Sequence, residues 1–237
     1  MNESWLATQP QHPASGAPAW HADLRITLVT GAALLAWDWS GLDLAAARMF
    51  GNAQGFAWQQ HFVTQTLLHD GGRMLAWALM ASLVVAALRR GRPDAPGRAE
   101  RWQWLGVTLL CLLTVPTLKR LSSTSCPWDL AEFGGVARYV SHWQWGVADG
   151  AAGHCFPSGH AVAAFAFFSV YFLWRPYQPA RARRWLAAVL LVGTVFGAAQ
   201  LARGAHYPSH TLWSAWLCWT ISAAAGAGLA ARRRAAP

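Results

Sequence analysis

Residues 185–202 read WLAAVLLVGTVFGAAQLA, a run of 18 residues without a charged side chain. About 20 apolar residues in a helix cross the hydrocarbon core of a bilayer, so this run predicts a membrane-spanning helix. Five further segments have the same character, and together they predict an all-α, polytopic bundle of six transmembrane helices. The predicted spans are residues 25–46, 71–88, 102–118, 159–174, 185–202 and 211–231.

The overall composition supports this class and excludes an ordinary soluble enzyme. The chain has 237 residues, of which 54% are hydrophobic and 12% are charged. A soluble domain usually has about twice that charged fraction. The net charge of +9 would suit a protein that binds nucleic acid, but the charges cluster in short loops between the apolar runs. We therefore interpret them as a topology signal and expect no nucleic-acid partner.

The arginines predict the orientation of the bundle. They are concentrated in residues 88–102, in residues 175–184 and in the C-terminal tail. Cytoplasmic loops are enriched in Arg and Lys, so these loops and both termini are expected to be cytoplasmic, while residues 119–158 and 203–210 face outward. The expected organisation is a polar cytoplasmic leader at 1–24, one membrane domain at 25–231 and a basic cytoplasmic tail at 232–237.

Two carboxylates interrupt the first predicted span. Asp38 and Asp43 both lie in its second half. An ionisable residue within a span often marks function. Near a helix end, however, such a side chain more often reaches the membrane interface, and we prefer this interpretation for both residues.

Histidines collect in the segments that are expected to face outward. Seven of the nine lie there, and His160, His206 and His210 stand at the outer edges of apolar spans. Titratable groups that converge at one membrane face suggest a catalytic site. His206 and His210 also have the spacing of two metal ligands on one helix face. Because Pro208 lies between them and no local carboxylate or Cys pair completes a ligand set, the metal alternative is disfavoured.

Three other features predict an anion-binding site on the same side. Lys119 is the only lysine in a chain with 18 arginines. Its compact ammonium suits a phosphate oxygen. The alternative is that its side chain extends to the membrane interface. Residues 156–160 open a span with free backbone N–H groups that can bind an anion, whereas the alternative is a simple helix cap by Ser158. Arg203 ends the fifth span and can neutralise phosphoryl oxygens.

In this order, the motifs resemble those of the type 2 phosphatidic acid phosphatase superfamily of membrane phosphatases. That family carries outward motifs of the forms Lys-x6-Arg-Pro, Pro-Ser-Gly-His and Ser-Arg-x5-His-x3-Asp. Here the second motif is complete at residues 157–160, and Gly-x-His-Tyr-Pro-Ser occupies residues 204–209. Lys119 stands in register with Pro127 for the first motif. The resemblance covers about residues 25–231.

Three motif positions depart from the family pattern. Cys126 and Gln200 stand where the family has Arg, and His210 stands where it has Asp. Arg203 lies one helical turn from Gln200, so it is expected to reach the same pocket. The candidates for the missing carboxylate are Asp129 and Asp149 in the outward loop.

The resemblance implies a lipid phosphatase that needs neither a metal nor another cofactor. His206 would attack phosphorus and form a phosphohistidine, and His160 would protonate the leaving oxygen and then activate water. His210 would orient His206 as a hydrogen-bond acceptor or through water. The phosphate oxygens would be bound by Lys119, Ser158, Gly159 and Arg203.

The expected substrate is an amphiphilic lipid phosphate in the bilayer. Polyprenyl diphosphate, phosphatidic acid, phosphatidylglycerol phosphate and a lipid A phosphate all fit. In a bacterial cytoplasmic membrane, the outward site would face the periplasm. Two alternatives stay open, namely a lipid phosphotransferase of the same fold and a non-catalytic lipid-binding protein that has lost activity with its altered motifs.

Two cysteines lie in the outward loop, close to the first and second motifs. In an oxidising compartment Cys126 and Cys155 are expected to form a disulfide. It would join the two motifs covalently in place of the lost Arg interaction. The alternative is a pair of free thiols, since sequence does not determine the geometry of a disulfide.

Overall fold

The computed structural model describes residues 19–90, 95–144 and 146–235, and the chain is mostly helical. Residues 1–18 of the predicted leader and residues 236–237 of the predicted tail lie outside the described residues. The α-helices are α1 (Ala19–Ser40), α2 (Leu42–Arg48), α3 (Gly71–Leu88), α4 (Arg98–Leu121), α5 (Val162–Phe165), α6 (Phe168–Trp174), α7 (Pro179–Ala202) and α8 (Pro208–Ala235).

Shorter elements lie in two of the connections. Between α2 and α3, the chain forms an antiparallel pair of strands, β1 (Gly51–Asn52) and β2 (Gly55–Phe56). A π-helix, Val63–Asp70, follows and runs directly into α3. Two 3₁₀ turns, Pro127–Asp129 and Ala131–Phe133, lie in the long connection from α4 to α5. π-helical turns are rare in proteins, and those that occur are often found at functional sites.

Within the described residues, four helical segments are long and apolar enough to cross a membrane, so the chain is a multi-pass membrane protein. They correspond to the second, third, fifth and sixth predicted spans. A shorter apolar helix, Val162–Trp174, corresponds to the fourth. The four long segments are Val63–Leu88, Arg98–Leu121, Pro179–Ala202 and Pro208–Arg232.

The first predicted span, residues 25–46, is not one helix. α1 ends at Ser40 and α2 begins at Leu42. Gly41 between them takes a left-handed conformation with φ of 72°, which glycine adopts without steric cost. The helical axis therefore breaks within the predicted span.

The two carboxylates of this region are buried within the protein. The side chain of Asp38 is 1% exposed, and Trp213 Nε1 donates to its Oδ2 at 2.9 Å. Asp43 is 5% exposed, and the backbone N–H of Ser209 donates to its Oδ1 at 3.0 Å. Both carboxylates thus accept hydrogen bonds from the first turns of α8, which offsets part of the cost of their burial. Oδ1 of Asp38 has no partner among the described residues.

α8 packs against α1, α4, α6 and α7. The interior is rich in aromatic rings, such as Phe168 and Trp219, whose centroids lie 5.6 Å apart. Close helix contacts depend on small residues, as expected in lipid. A Cβ on Gly193 of α7 would lie 2.2 Å from the ring of Phe165. This packing brings the C-terminal ends of α4 and α7 and the N-terminal ends of α3, α5 and α8 to one end of the bundle.

Candidate active site

A polar cavity of about 470 Å³ lies at this end of the bundle. Its size is within the range of small-molecule sites. Two predicted residues, Ser158 and His210, are not among its lining residues. The predicted residues that line it are Lys119, Gly159, His160, Arg203 and His206.

His206 lies in the loop between α7 and α8 and is 4% exposed. Its Nδ1 lies 3.4 Å from Nδ1 of His210 and 3.5 Å from Sγ of Cys155. Since Nδ1 is occupied, Nε2 is the nitrogen available to a molecule in the cavity. Burial, followed by the positive charge of Lys119, holds the pKa of His206 well below its ordinary value of 6.5. The ring is therefore neutral at neutral pH and has a nucleophilic lone pair.

The loop that carries His206 is fixed by contacts at Gly204. This residue has φ of 70°, and a Cβ on it would lie 2.3 Å from the ring of Phe56. Its carbonyl oxygen accepts a hydrogen bond from the backbone N–H of Trp128 at 2.9 Å. Any larger residue at position 204 would displace the loop, so glycine determines where His206 lies.

His160 lies in the turn before α5. Its ring stacks on that of His69 at 4.6 Å and lies 4.8 Å from that of Phe196. The backbone of Leu68, in the π-helix, is a hydrogen-bond partner of the imidazole. In the described part of the chain, Nε2 of His160 has no partner. The π-helix thus orients the ring and leaves one nitrogen free for proton transfer.

Lys119 lies in the last turn of α4, and its side chain runs alongside the segment before α5. A Cβ on Gly159 would lie 3.4 Å from Cδ of Lys119 and 3.8 Å from its Nζ. The missing side chain at position 159 therefore lets the ammonium approach the backbone at the start of α5. An ammonium beside free N–H groups is suited to bind phosphate oxygens.

Arg203 is held by three hydrogen bonds and is 5% exposed. Its Nε donates to the carbonyl of Gln59 at 3.1 Å, its Nη1 to Oε1 of Gln200 at 3.2 Å, and its Nη2 to Oε1 of Gln65. A guanidinium has five N–H donors, so two remain for a ligand in the cavity.

Gln200 was interpreted from sequence as a lost arginine, but it lines the cavity. Arg203 binds its Oε1, and its Nε2 has no partner among the described residues. An unpartnered amide nitrogen in a polar cavity can donate to a phosphate oxygen. Gln200 and Arg203 are therefore arranged to share the place of one arginine, and the (i, i+3) spacing was the sequence signal for it.

One wall of the cavity was not predicted. Gln65, His69 and Arg73 line it from the π-helix and the start of α3. Their spacing of four residues places them on one helix face. Nδ1 of His69 lies 3.0 Å from Oδ1 of Asp70, and Arg73 has no hydrogen bond or ion pair within the described ranges. The wall adds polar side chains and a further cation, Arg73, to the lining of the cavity.

Ser158 differs from its predicted place as a phosphate ligand. It is fully buried, and its Oγ accepts a hydrogen bond from the backbone N–H of Ala161 at 3.3 Å. Its backbone N–H donates to the carbonyl of His210 at 3.0 Å. Ser214 Oγ in turn donates to the Ser158 carbonyl at 2.9 Å. Ser158 thus caps the turn and joins it to α8, as in the alternative that the sequence left open.

A disulfide joins Cys126 and Cys155, whose Cα atoms lie 5.2 Å apart. It connects the loop after α4 to the segment before α5. Ligand atoms of Cys155, His206 and His210 lie within 4.8 Å of one another, as in a metal-binding trio. A disulfide sulfur is not a thiolate, however, and the thiolate is the form of cysteine that binds metals.

Neither loop candidate for the missing carboxylate is bonded to His206. Asp129 Oδ2 accepts from the backbone N–H of Cys126 at 3.1 Å. Asp149 accepts from the backbone N–H of Ser125 at 2.6 Å and from its Oγ at 2.8 Å. Both carboxylates are used to shape the outward loop.

Comparisons with known proteins identify the family and the fold. The model of the PAP2 superfamily matches residues 101–234, more than half of the chain. The crystal structure of a transmembrane PAP2-type phosphatidylglycerolphosphate phosphatase from Bacillus subtilis has a similar fold, with a TM-score of 0.55 at 14% identity, over 90% of this chain and 96% of that one. No curated protein matches the sequence. The chain belongs to the PAP2 superfamily.

Proposed function

We propose that the protein releases phosphate from a membrane lipid through a phosphohistidine formed on His206. The observation that carries the proposal is the cavity itself. It brings the buried, neutral His206 together with His160 and with the cations Lys119 and Arg203. A nucleophile, a proton donor and two positive charges in one cavity suit phosphoryl transfer, in which positioning and charge neutralisation dominate.

The reaction has two steps. Nε2 of His206 attacks phosphorus and the bond to the lipid oxygen breaks. His160, held in its doubly protonated form by the negative charge of the bound phosphate, gives its Nε2 proton to that oxygen. His160 then takes a proton from water as the water attacks the phosphohistidine, and the P–N bond breaks to release inorganic phosphate and neutral His206. Lys119, Arg203, Gln200 and the Gly159 amide hold the phosphoryl oxygens. None of these steps requires a metal.

An apolar cavity next to the polar one supports a lipid substrate. It has a volume of about 300 Å³ and lies between α3, α5 and α7. Ala163 lines both cavities. Gly72 lets the ring of Phe196 approach α3, since a Cβ there would lie 2.5 Å from that ring. A lipid whose phosphate is bound at His206 would therefore place its hydrocarbon chain in contact with apolar side chains.

We infer six membrane spans, made by α1, α3, α4, the α5–α6 pair, α7 and α8. α1 has 22 residues and a length of about 33 Å, enough to cross a bilayer. Both of its carboxylates are paired, since Arg175 donates to both oxygens of Asp23 at 2.7 and 2.9 Å and Asp38 accepts hydrogen bonds from aromatic N–H groups. Paired charges are tolerated in a span.

The proposed orientation follows from the arginines. Residues 88–102 and 175–184 connect the helix ends that are opposite to the cavity. By the positive-inside rule these loops are cytoplasmic. In a bacterial inner membrane the cavity would then face the periplasm, with both termini cytoplasmic and residues 25–231 forming one catalytic domain.

Phosphate release by the purified protein in detergent tests the proposal. The substrates are polyprenyl diphosphate, phosphatidic acid, phosphatidylglycerol phosphate and lipid A, each with and without EDTA. We expect release from at least one lipid, unchanged by EDTA because the charge of Lys119 and Arg203 replaces a metal. Release that stops with EDTA would contradict the metal-independent mechanism, and no release from any lipid would contradict the phosphatase itself.

The Arg203→Ala variant is expected to lose more activity than the Gln200→Ala variant. Arg203 supplies a charge and also holds Gln200 and Gln65, so its loss should lower kcat/KM by about 10²- to 10³-fold. Loss of the neutral amide should cost about tenfold. Kinetics of both variants with the preferred lipid measure the difference. Equal losses would contradict the predicted ranking, and the reverse ranking would show that Gln200 is the principal ligand.

A further inference from the structure

His206 is oriented by a second imidazole. For its Nε2 to attack phosphorus, the proton of the neutral ring must be on Nδ1. Two acceptors lie within reach of that proton, the backbone carbonyl of Cys155 and Nδ1 of His210, 3.4 Å away. When the proton is donated to His210, that ring accepts on Nδ1 and has its own proton on Nε2. His210 is fully buried, and its Nε2 finds no hydrogen-bond partner in the ranges that the structure describes.

The next ionisable group beyond His210 is His142, in the outward loop. Its ring lies edge-on to that of His210, with centroids 5.9 Å apart. It stacks on Phe156 at 4.0 Å, and its side chain is 6% exposed. Nε2 of His142 lies 3.3 Å from Oδ2 of Asp38. The carboxylate of Asp38 is 1% exposed.

These three groups have compatible protonation states. A carboxylate only accepts hydrogen bonds, so His142 donates from Nε2 and has a free acceptor at Nδ1. The unpartnered donor on this side is Nε2–H of His210. One bridging water, or a rotation of the His142 ring, would join them. The donors then run in one direction, from His206 through His210 and His142 to Asp38.

We propose that Asp38 and His142 are positioning residues that act on His206 through His210. The inference rests on the proposed phosphohistidine reaction. When phosphorus bonds to Nε2, the His206 ring becomes cationic and its Nδ1–H becomes a stronger donor. The chain of donors polarises His210 toward the negative charge of Asp38, which stabilises that cation. A carboxylate on α1, outside the residues that match the family model, thereby serves the nucleophile on the α7–α8 loop.

Asp38 has a competing structural role that the experiment must separate. Nε1 of Trp143 and Nε1 of Trp213 donate to its Oδ2 at 3.0 and 2.9 Å. Removal of the charge of Asp38 would therefore also weaken the hydrogen bonds that join α1 to the outward loop and to α8. A purely structural defect would be the same whatever residue occupies position 210.

The deciding experiment measures kcat and KM for Asp38→Asn in two backgrounds, native and His210→Asp. In the native background we expect kcat to fall about 10- to 100-fold, with KM changed less than about twofold, since neither residue lines the cavity. In the His210→Asp background a carboxylate lies directly at Nδ1 of His206. Asp38→Asn should then change kcat less than about threefold.

A second cycle covers the case in which His210→Asp does not fold. His142→Phe keeps the ring that stacks on Phe156 but removes the nitrogens. We expect it to lower kcat as Asp38→Asn does, and the double variant to be no slower than either single one. Trp143→Phe, which removes one donor to Asp38 without breaking the chain, is the matched control and should keep kcat within about twofold.

The proposal would be overturned in favour of a structural role if Asp38→Asn lowered kcat equally in both backgrounds. It would also be overturned if the losses of kcat from Asp38→Asn and His142→Phe multiplied in the double variant. The proposed function is judged separately, by turnover of the unmodified protein, whereas the chain of donors is judged by ratios between variants. Absence of turnover in the unmodified protein would overturn both, because the chain is defined by its effect on that turnover.

Discussion

The His206→Ala variant is expected to release phosphate at least about 10³-fold more slowly than the unmodified protein. His206 lies at the cavity with Nδ1 bonded and Nε2 available. His210 cannot replace it, because it is fully buried and does not line the cavity. Without the nucleophile, only the charges and the binding site remain to promote direct attack by water. The measurement is steady-state phosphate release with the preferred lipid in detergent.

The covalent intermediate provides an independent readout for the same variant. A radiolabelled substrate, quenched with denaturant at alkaline pH, should leave phosphate on the unmodified protein, in a form that acid removes as expected for a phosphohistidine. His206→Ala should carry no label. His21→Ala, at the far end of α1, is the matched control and should keep both label and turnover. A labelled or active His206→Ala protein would place the nucleophile elsewhere.

Most of the helical framework could be predicted from the sequence, because uncharged runs of membrane length have few alternatives. The break at Gly41 could not, since a glycine within an apolar run is equally compatible with a continuous helix. Nor could the strand pair before the π-helix, whose strands have two residues each. Such short elements form through tertiary contacts, such as that between the rings of Phe56 and Phe133, whose centroids lie 4.8 Å apart.

The motif residues of the site were predicted because their order and spacing are specific. The wall made by Gln65, His69 and Arg73 was not, since a spacing of four residues occurs on every helix. Only the packing of α3 against its neighbours shows that this face lines the cavity and not the lipid. Ser158 was uncertain for a different reason, because a helix cap and an anion ligand require the same residue at the same place.

The carboxylate candidates were chosen by their nearness to the motifs in sequence. Asp129 and Asp149 share the outward loop with the motifs, yet both bond to backbone N–H groups within that loop. Asp38 lies more than 160 residues from His206 in the chain and approaches it only through the packing of α1 on α8. An ionisable residue within a predicted span is itself a signal for function, and the burial of Asp38 makes it the carboxylate on which the proposed chain of donors ends.

His160→Ala is the second variant with a large expected effect, a fall in lipid turnover of about 10²- to 10⁴-fold. The free Nε2 of His160 at the cavity is the group assigned to protonate the leaving oxygen. An aryl phosphate such as p-nitrophenyl phosphate has a leaving group that needs little protonation. If the protein accepts it, the variant should therefore keep most of the first step with this substrate.

The two steps then separate in the variant. Hydrolysis of the phosphohistidine still needs a base, so His160→Ala should show a burst of about one nitrophenol per protein, followed by slow turnover, and phosphate should accumulate on His206. Phe196→Leu is the matched control, because this substitution alters the ring beside His160 and leaves the imidazole in place. The Phe196→Leu variant should show no burst. Equal losses with the lipid and the aryl ester, without accumulated label, would mean that His160 only helps to shape the cavity.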